Sequence, residues 1–228
     1  MTRARRSTKP STPEPAGTLV PHLQRKLEAE RARVARRLHG DVAGMLAAAR
    51  MDLSRLAGHL ADDRDAREQV VRVDQILEQV IQNARSEMQR LHPALLDHFG
   101  LAAALRHTVE ERCRAAGAEY TLDVPEFTDG VAAPASLATF RVIESMLGAK
   151  SLRRVGLRLR QSAAGYQLRA EVERGESEDP ASRDDLRALR AWLESMGATW
   201  SEARRGDVDS VELTLPHVNC AAVEIPGN

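Results

Sequence analysis

Seven histidines and two cysteines are the residues of this chain best suited to covalent or metal chemistry. Cys113 and Cys220 lie far apart with no metal-ligand spacing and read as isolated reduced thiols. His22, His59, His92, His98, His107 and His217 show no ligand spacing either and read as structural. His39 has a different setting. It lies within Glu30-Arg-Ala-Arg-Val-Ala-Arg-Arg-Leu-His-Gly-Asp-Val-Ala-Gly44, in the middle of a long helical pattern. A neutral imidazole is a good nucleophile near neutral pH, and a place mid-helix holds it at a fixed height. Leu38 belongs to the apolar seam, and His39 follows about 100° further round the helix, within reach of the surface. Arg36 and Arg37 flank it and are suited to attract a phosphate or an acidic partner. Residue type alone makes a lone histidine of this kind more often structural than reactive.

The elements that position His39 follow from periodicity. From Leu19 to Asp62 apolar residues recur in 3- and 4-residue steps through Leu27, Val34, Leu38, Val42, Met45, Ala49, Leu53, Leu56 and Leu60. That is a coiled-coil-like seam on a helix too long to be stable without partners. Val70, Val73, Leu77, Val80, Ala84, Met88 and Leu91 repeat the pattern from Asp65 to Leu91. The short connection around Ala61–Arg64 makes the two helices antiparallel. Two helices alone leave too much apolar seam exposed, so a second copy is expected to close a dimeric four-helix bundle.

His92-Pro93 stops the second helix, because proline disfavours helix in the residue before it. Beyond it the pattern predicts a helix from Leu101 to Ala116 closed by Gly117, a strand at Tyr120–Val124, and a helix from Pro134 to Gly148. A hairpin of Val155–Arg160 and Tyr166–Glu173 follows, turning at Ala163–Gly165. A helix over Arg183–Met196 and a last strand at Val211–Leu215 complete the set. The fold class is α+β, with a disordered tail over 1–17, a helical hairpin over 18–95, a small α/β sandwich over 96–217 and a second tail over 218–228.

Composition agrees with this reading and limits the function. Aromatics are 3% and hydrophobics 43%, which favours helices over a β-sandwich while still allowing a core. With 33 basic and 33 acidic residues, no global field draws the chain to nucleic acid or anionic lipid. No apolar run reaches the ~18–20 residues needed to span a bilayer, and Met1–Arg6 lacks the apolar region of a signal peptide. The expected location is cytoplasmic, without membrane insertion or nucleic-acid binding.

The Glu30–Gly44 stretch resembles the phosphoacceptor box of histidine kinases of the nitrate/nitrite-sensor subfamily, which reads roughly E-R-x-R-I-A-R-E-L-H-D-x-x-x-Q. Leu91-His-Pro-Ala-Leu-Leu-Asp-His-Phe-Gly-Leu-Ala-Ala-Ala-Leu105 resembles the L-R-P-x-L-L-D-x-x-G-L-x-x-A-L segment that follows the second helix there. The resemblance runs from about Leu19 to Pro216 and weakens after about residue 125. It implies that His39 is the phosphorylated residue and that the second half is a sandwich of the histidine-kinase (GHKL) ATPase type.

The departures matter as much. Gly40 stands where the family has an acidic residue that orients the ring, and Gly44 where it has a glutamine used in dephosphorylation. Arg141-Val-Ile-Glu-Ser-Met-Leu-Gly-Ala149 takes the place of R-I-V-Q-E-A-L-T-N, so Ser145 replaces the family's Glu and Ala149 its magnesium-binding Asn. Glu173-Arg-Gly-Glu-Ser177 replaces D-x-G-x-G, and Asp185 and Ala188 replace two phosphate-facing glycines. The expected protein is therefore a histidine-kinase-like phosphotransfer protein with no cofactor. Its expected partners are a second copy and a response-regulator receiver domain or companion kinase, with Arg36 and Arg37 as docking residues. Two other readings stand beside it: a binding module that docks a receiver or kinase without using His39, and an active autokinase that binds ATP and magnesium.

Overall fold

The computed structural model describes residues 16–60, 63–148, 151–175 and 181–217. The expected C-terminal tail, and all of the N-terminal one before Ala16, lie outside them; residues 16–17 already belong to the first helix. That helix, α1, spans Ala16–His59 and α2 spans Arg64–Leu91. Asp63 caps α2 by accepting from the Ala66 amide at 3.0 Å, one of the donors a helix start leaves without an intrahelical partner. His92, held extended at φ −150° by Pro93, ends it.

The apolar seam of the hairpin divides in two. Leu38, Val42 and Leu53 of α1 and Val70, Leu77 and Ala84 of α2 are half-buried between the helices. Val34, Met45 and Leu56, together with Val73, Ile76 and Val80, face outward; Met45 is 64% and Ile76 57% exposed. Arg50 fixes the register between the helices through Asp74, at 2.9 and 3.2 Å, and through Glu78.

A third helix, α3, covers Ala94–Ala116 and is kinked at Gly100, whose φ of 76° a side chain would strain. The helix expected from Leu101 is its second limb. Gly117, in the left-handed region, closes it with the Ala118 amide reaching back to the Cys113 carbonyl. Then come β1 (Glu119–Asp123), α4 (Ala133–Met146), β2 (Leu152–Ser162), β3 (Gly165–Arg174), α5 (Ala181–Glu194), β4 (Thr199–Arg205) and β5 (Val208–Pro216).

The strands form one sheet in the order β1-β2-β3-β5-β4, with only β1 and β2 parallel. Register and burial agree. Val155, Leu157 and Leu159 stand opposite Val172, Ala170 and Leu168, which in turn neighbour Val211 and Leu213. All of these are buried, and α3, α4 and α5 cover them with Leu105, Val109, Ile143, Met146, Trp192 and Leu193. A fully buried side chain of this size contributes about 1.5–3 kcal/mol. The alternate residues make a solvated face of ion pairs, such as Arg158 and Arg160 on Asp123 and Arg169 on Glu171. The architecture is thus α+β: a helical hairpin, then a mixed five-stranded sheet with helices packed on its apolar face.

Candidate functional site

His39 is exposed on α1, and so are Arg36 and Arg37, neither of which has an ion-pair partner among the described residues. Glu30, at the head of the same segment, is taken by Arg33; that hydrogen bond, opposed by burial and aided by the charges of Arg33 and Arg37, holds the Glu30 carboxyl below its ordinary value. A Cβ added at Gly40 or Gly44 would meet nothing within 4 Å. No close packing within the chain requires glycine at either place. Asp41 is exposed as well. His39 therefore stands free, with cations before it and no carboxylate beside it.

Where α1 precedes His39, it is not a free helix. Pro21, Glu28, Ala32 and Ala35 are buried, and this part of the chain packs against α5 as well as α2. Glu28 is 4% and Arg141 of α4 6% exposed, and the two meet at 2.9 and 3.1 Å. The Arg141 guanidinium also donates to the carbonyls of Arg90 (3.0 Å) and Leu91 (2.7 Å), where α2 ends, and to Glu144 at 2.6 Å. Burial disfavours its charge, but Glu28 and Glu144 outweigh that and hold its pKa above the ordinary value. Sequence reasoning passed over this cluster. The one available signal was an arginine inside the apolar run Phe140-Arg-Val-Ile143, a position that demands partners when buried.

The positions matched to a nucleotide site are only partly brought together. Ser145 is half-buried near the end of α4. Ala188 is half-buried and Asp185 exposed on α5. Ala149 lies outside the described residues. Glu173 is not with them: it alternates with the buried Val172 and lies on the outer face of the sheet, 3.8 Å from Arg154. The inward place at the end of β3 belongs to Arg174. Its guanidinium donates to the Met146 carbonyl of α4 at 2.8 Å and pairs with Asp209 at 3.1 Å. Among the described residues, no three His, Cys, Asp or Glu side chains are grouped to hold a metal ion. No described helix is long and apolar enough to cross a membrane.

An exposed histidine thus stands on the first helix of an antiparallel hairpin, and an α+β sandwich follows. Residues 30–96, which include His39, match the family model described as histidine kinase. The chain is 34% identical over 119 residues to the sensor histidine kinase MctS of Rhizobium johnstonii, a match covering 51% of this chain and 26% of that protein. The matched region thus spans about a quarter of the relative's length. Among solved structures, the histidine kinase AdeS of Acinetobacter baumannii is similar at 11% identity and a TM-score of 0.38, over 79% of this chain and 98% of that one. The histidine kinase domain of the blue-light activated kinase of Erythrobacter litoralis is similar at 19% identity and a TM-score of 0.40, over 73% of this chain and 96% of that one.

Proposed function

We propose that this chain is a phosphotransfer protein of a two-component system, in which His39 exchanges a phosphoryl group with the aspartate of a response-regulator receiver domain. The observation that carries the reading is an exposed His39 inside the segment of histidine-kinase type. In the transfer, a neutral ring nitrogen of His39 attacks the phosphorus of the receiver's aspartyl phosphate. The N–P bond forms as the acyl O–P bond breaks, and the aspartate leaves as a carboxylate. A carboxylate is a weak base and needs no proton to leave, so the step makes little demand on an acid or base beside the ring. Gly40 is compatible with that economy. Arg36 and Arg37 supply cations toward the acidic receiver site.

The nucleotide side of the family's chemistry is, in this reading, lost. Ser145 offers a hydroxyl where a carboxylate is used, Glu173 lies on the wrong face of the sheet, and Arg174 fills the inward position against α4. These residues do not fit a magnesium-nucleotide site, and no step is routed through one.

The reading includes a homodimer. Leu23, Val34, Met45 and Leu56 recur every eleven residues, each exposed, and make one slowly winding stripe along α1. Val73, Ile76 and Val80 extend it on α2. A second copy presents the same stripe and would close the bundle.

Transfer from a phosphorylated receiver domain tests the reading. Label should pass from receiver to protein and vanish from the His39→Ala variant. Equal labelling of that variant would overturn it.

A further inference from the structure

We propose that Arg141 and Glu28 form a latch that docks the His39-bearing helix on the sandwich, with Arg141 the positioning residue that sets how the sandwich stands relative to His39. The latch deepens the reading of His39 as phosphoacceptor and rests on it only for its effect on transfer.

The geometry is that of a junction. One guanidinium gathers Glu28 from α1, the last two carbonyls of α2 and Glu144 of its own helix, all within 3.1 Å. These are acceptors from three elements, and only arginine has a planar fork of donors able to meet them together. The hydrophobic core of the sandwich contains no residue of α1 or α2. Around this ion pair α1 also packs against α5, and Pro21, Ala32 and Ala35 of α1 and Met88 of α2 are buried. Without Glu28, Arg141 keeps only Glu144 of its own helix as a carboxylate partner, and without Arg141, Glu28 keeps only Arg31 of its own helix, so the ion pairing between α1 and α4 rests on this pair. Ala35, the last buried residue of the docked stretch, lies one helical turn before His39. A latch at Glu28 thus fixes the neighbourhood of the reactive ring without touching it.

The same docking builds a cleft of about 520 Å³ between α1 and the sandwich, lined by Arg25, Ala29 and Ala32 of α1 and by Trp192 of α5. Trp192 is 1% exposed. If α1 lifts away, one wall of that cleft leaves and the indole meets water. Trp192 reports on the latch independently of any phosphate chemistry.

The experiment measures acrylamide quenching of Trp192 in a Trp200→Phe background, together with amide exchange of residues 21–35. Glu28→Gln and Glu28→Ala should raise the quenching constant at least threefold and speed exchange over residues 21–35 at least tenfold, with sheet exchange unchanged. Arg141→Met should do the same, and Arg141→Lys should fall between, since an ammonium can meet Glu28 but not both carbonyls as well. In transfer from a phosphorylated receiver, Glu28→Ala should raise KM about tenfold with kcat within twofold. Quenching and exchange unchanged in Glu28→Ala, or an unchanged KM where wild type transfers, would overturn the proposal. Glu28 lies outside the sandwich core, so Glu28→Ala decides the matter even if Arg141→Met fails to fold. If wild type accepts no phosphate at all, the His39 reading fails, and quenching and exchange still judge the latch.

Discussion

Glu173 and Arg174 leave the end of β3 on opposite faces of the sheet. Glu173 turns outward to Arg154, and Arg174 turns inward to the Met146 carbonyl and Asp209. Adjacent residues of a strand must part in this way, and the parting decides which one can meet a ligand held against the helices. A carboxylate at the inward place could recognise an amino group. A guanidinium already paired with α4 and β5 cannot. Arg174→Asp alone should therefore gain no detectable magnesium-ATP affinity in a calorimetric titration, because Ser145 and Asp185 also oppose it. Measurable binding by that variant would show that the site is one residue from function.

The glycines after His39 serve no packing need within the chain. Gly40→Ala and Gly44→Ala should each stabilise α1 by up to about 1 kcal/mol, since a Cβ meets open space and alanine favours helix. Thermal melts check this. A fall in melting temperature would mean that another chain approaches α1 closely at that height.

The outward stripe predicts its own disruption. Met45→Glu places a charge in the middle of the stripe at a site that is 64% exposed within one chain. It should leave the far-UV spectrum of the chain intact and shift sedimentation from dimer to monomer, at a cost to association of order 2 kcal/mol or more. Unchanged sedimentation as a dimer would place the partner elsewhere.

Cys113 reports on the sandwich core. It is fully buried, and burial pushes its thiol above the ordinary value. The reactive thiolate is the charged form, so raising the pKa lowers its fraction at any pH below that value. In a Cys220→Ser background, labelling by a thiol reagent at pH 8 should be slow in the folded protein and should become fast with denaturant, at the same midpoint as loss of the sheet. Prompt labelling without denaturant would mean that the core opens locally around α3.

Much of this was legible in the sequence, for identifiable reasons. The seam residues of α1 and α2 follow a helical period over many turns, and His92-Pro93 and Gly117 are strong stop signals. The β2–β3 hairpin was legible because Val155, Leu157 and Leu159 alternate with charged residues or glycine. Its turn is Ala163–Ala164, and Gly165 is required because a Cβ there would come 1.8 Å from the Leu215 carbonyl oxygen. β4 was not legible. It is an edge strand with one neighbour, almost wholly exposed, so Thr199–Arg205 carries no apolar alternation. The first limb of α3 was hidden because Pro93 and Gly100 bracket six residues that look like a loop. At the candidate site, His39 and its arginines stood out only through the resemblance of the Glu30–Gly44 stretch, since type and spacing alone make such a histidine more often structural. The outward turn of Glu173 was implicit in the sequence, because it alternates with the apolar Leu168, Ala170 and Val172. The Arg141–Glu28 pair could not be read, because its members are 113 residues apart and meet only through the docking of α1.

The measurement that tests the central claim most directly is phosphate incorporation from radiolabelled magnesium-ATP into the purified protein and its His39→Ala variant. The account predicts no label in either protein with ATP alone, and label on His39 only when a phosphorylated receiver domain or a companion kinase is added. Label on the wild type from ATP alone, absent in the variant, would contradict it and make this chain an autokinase.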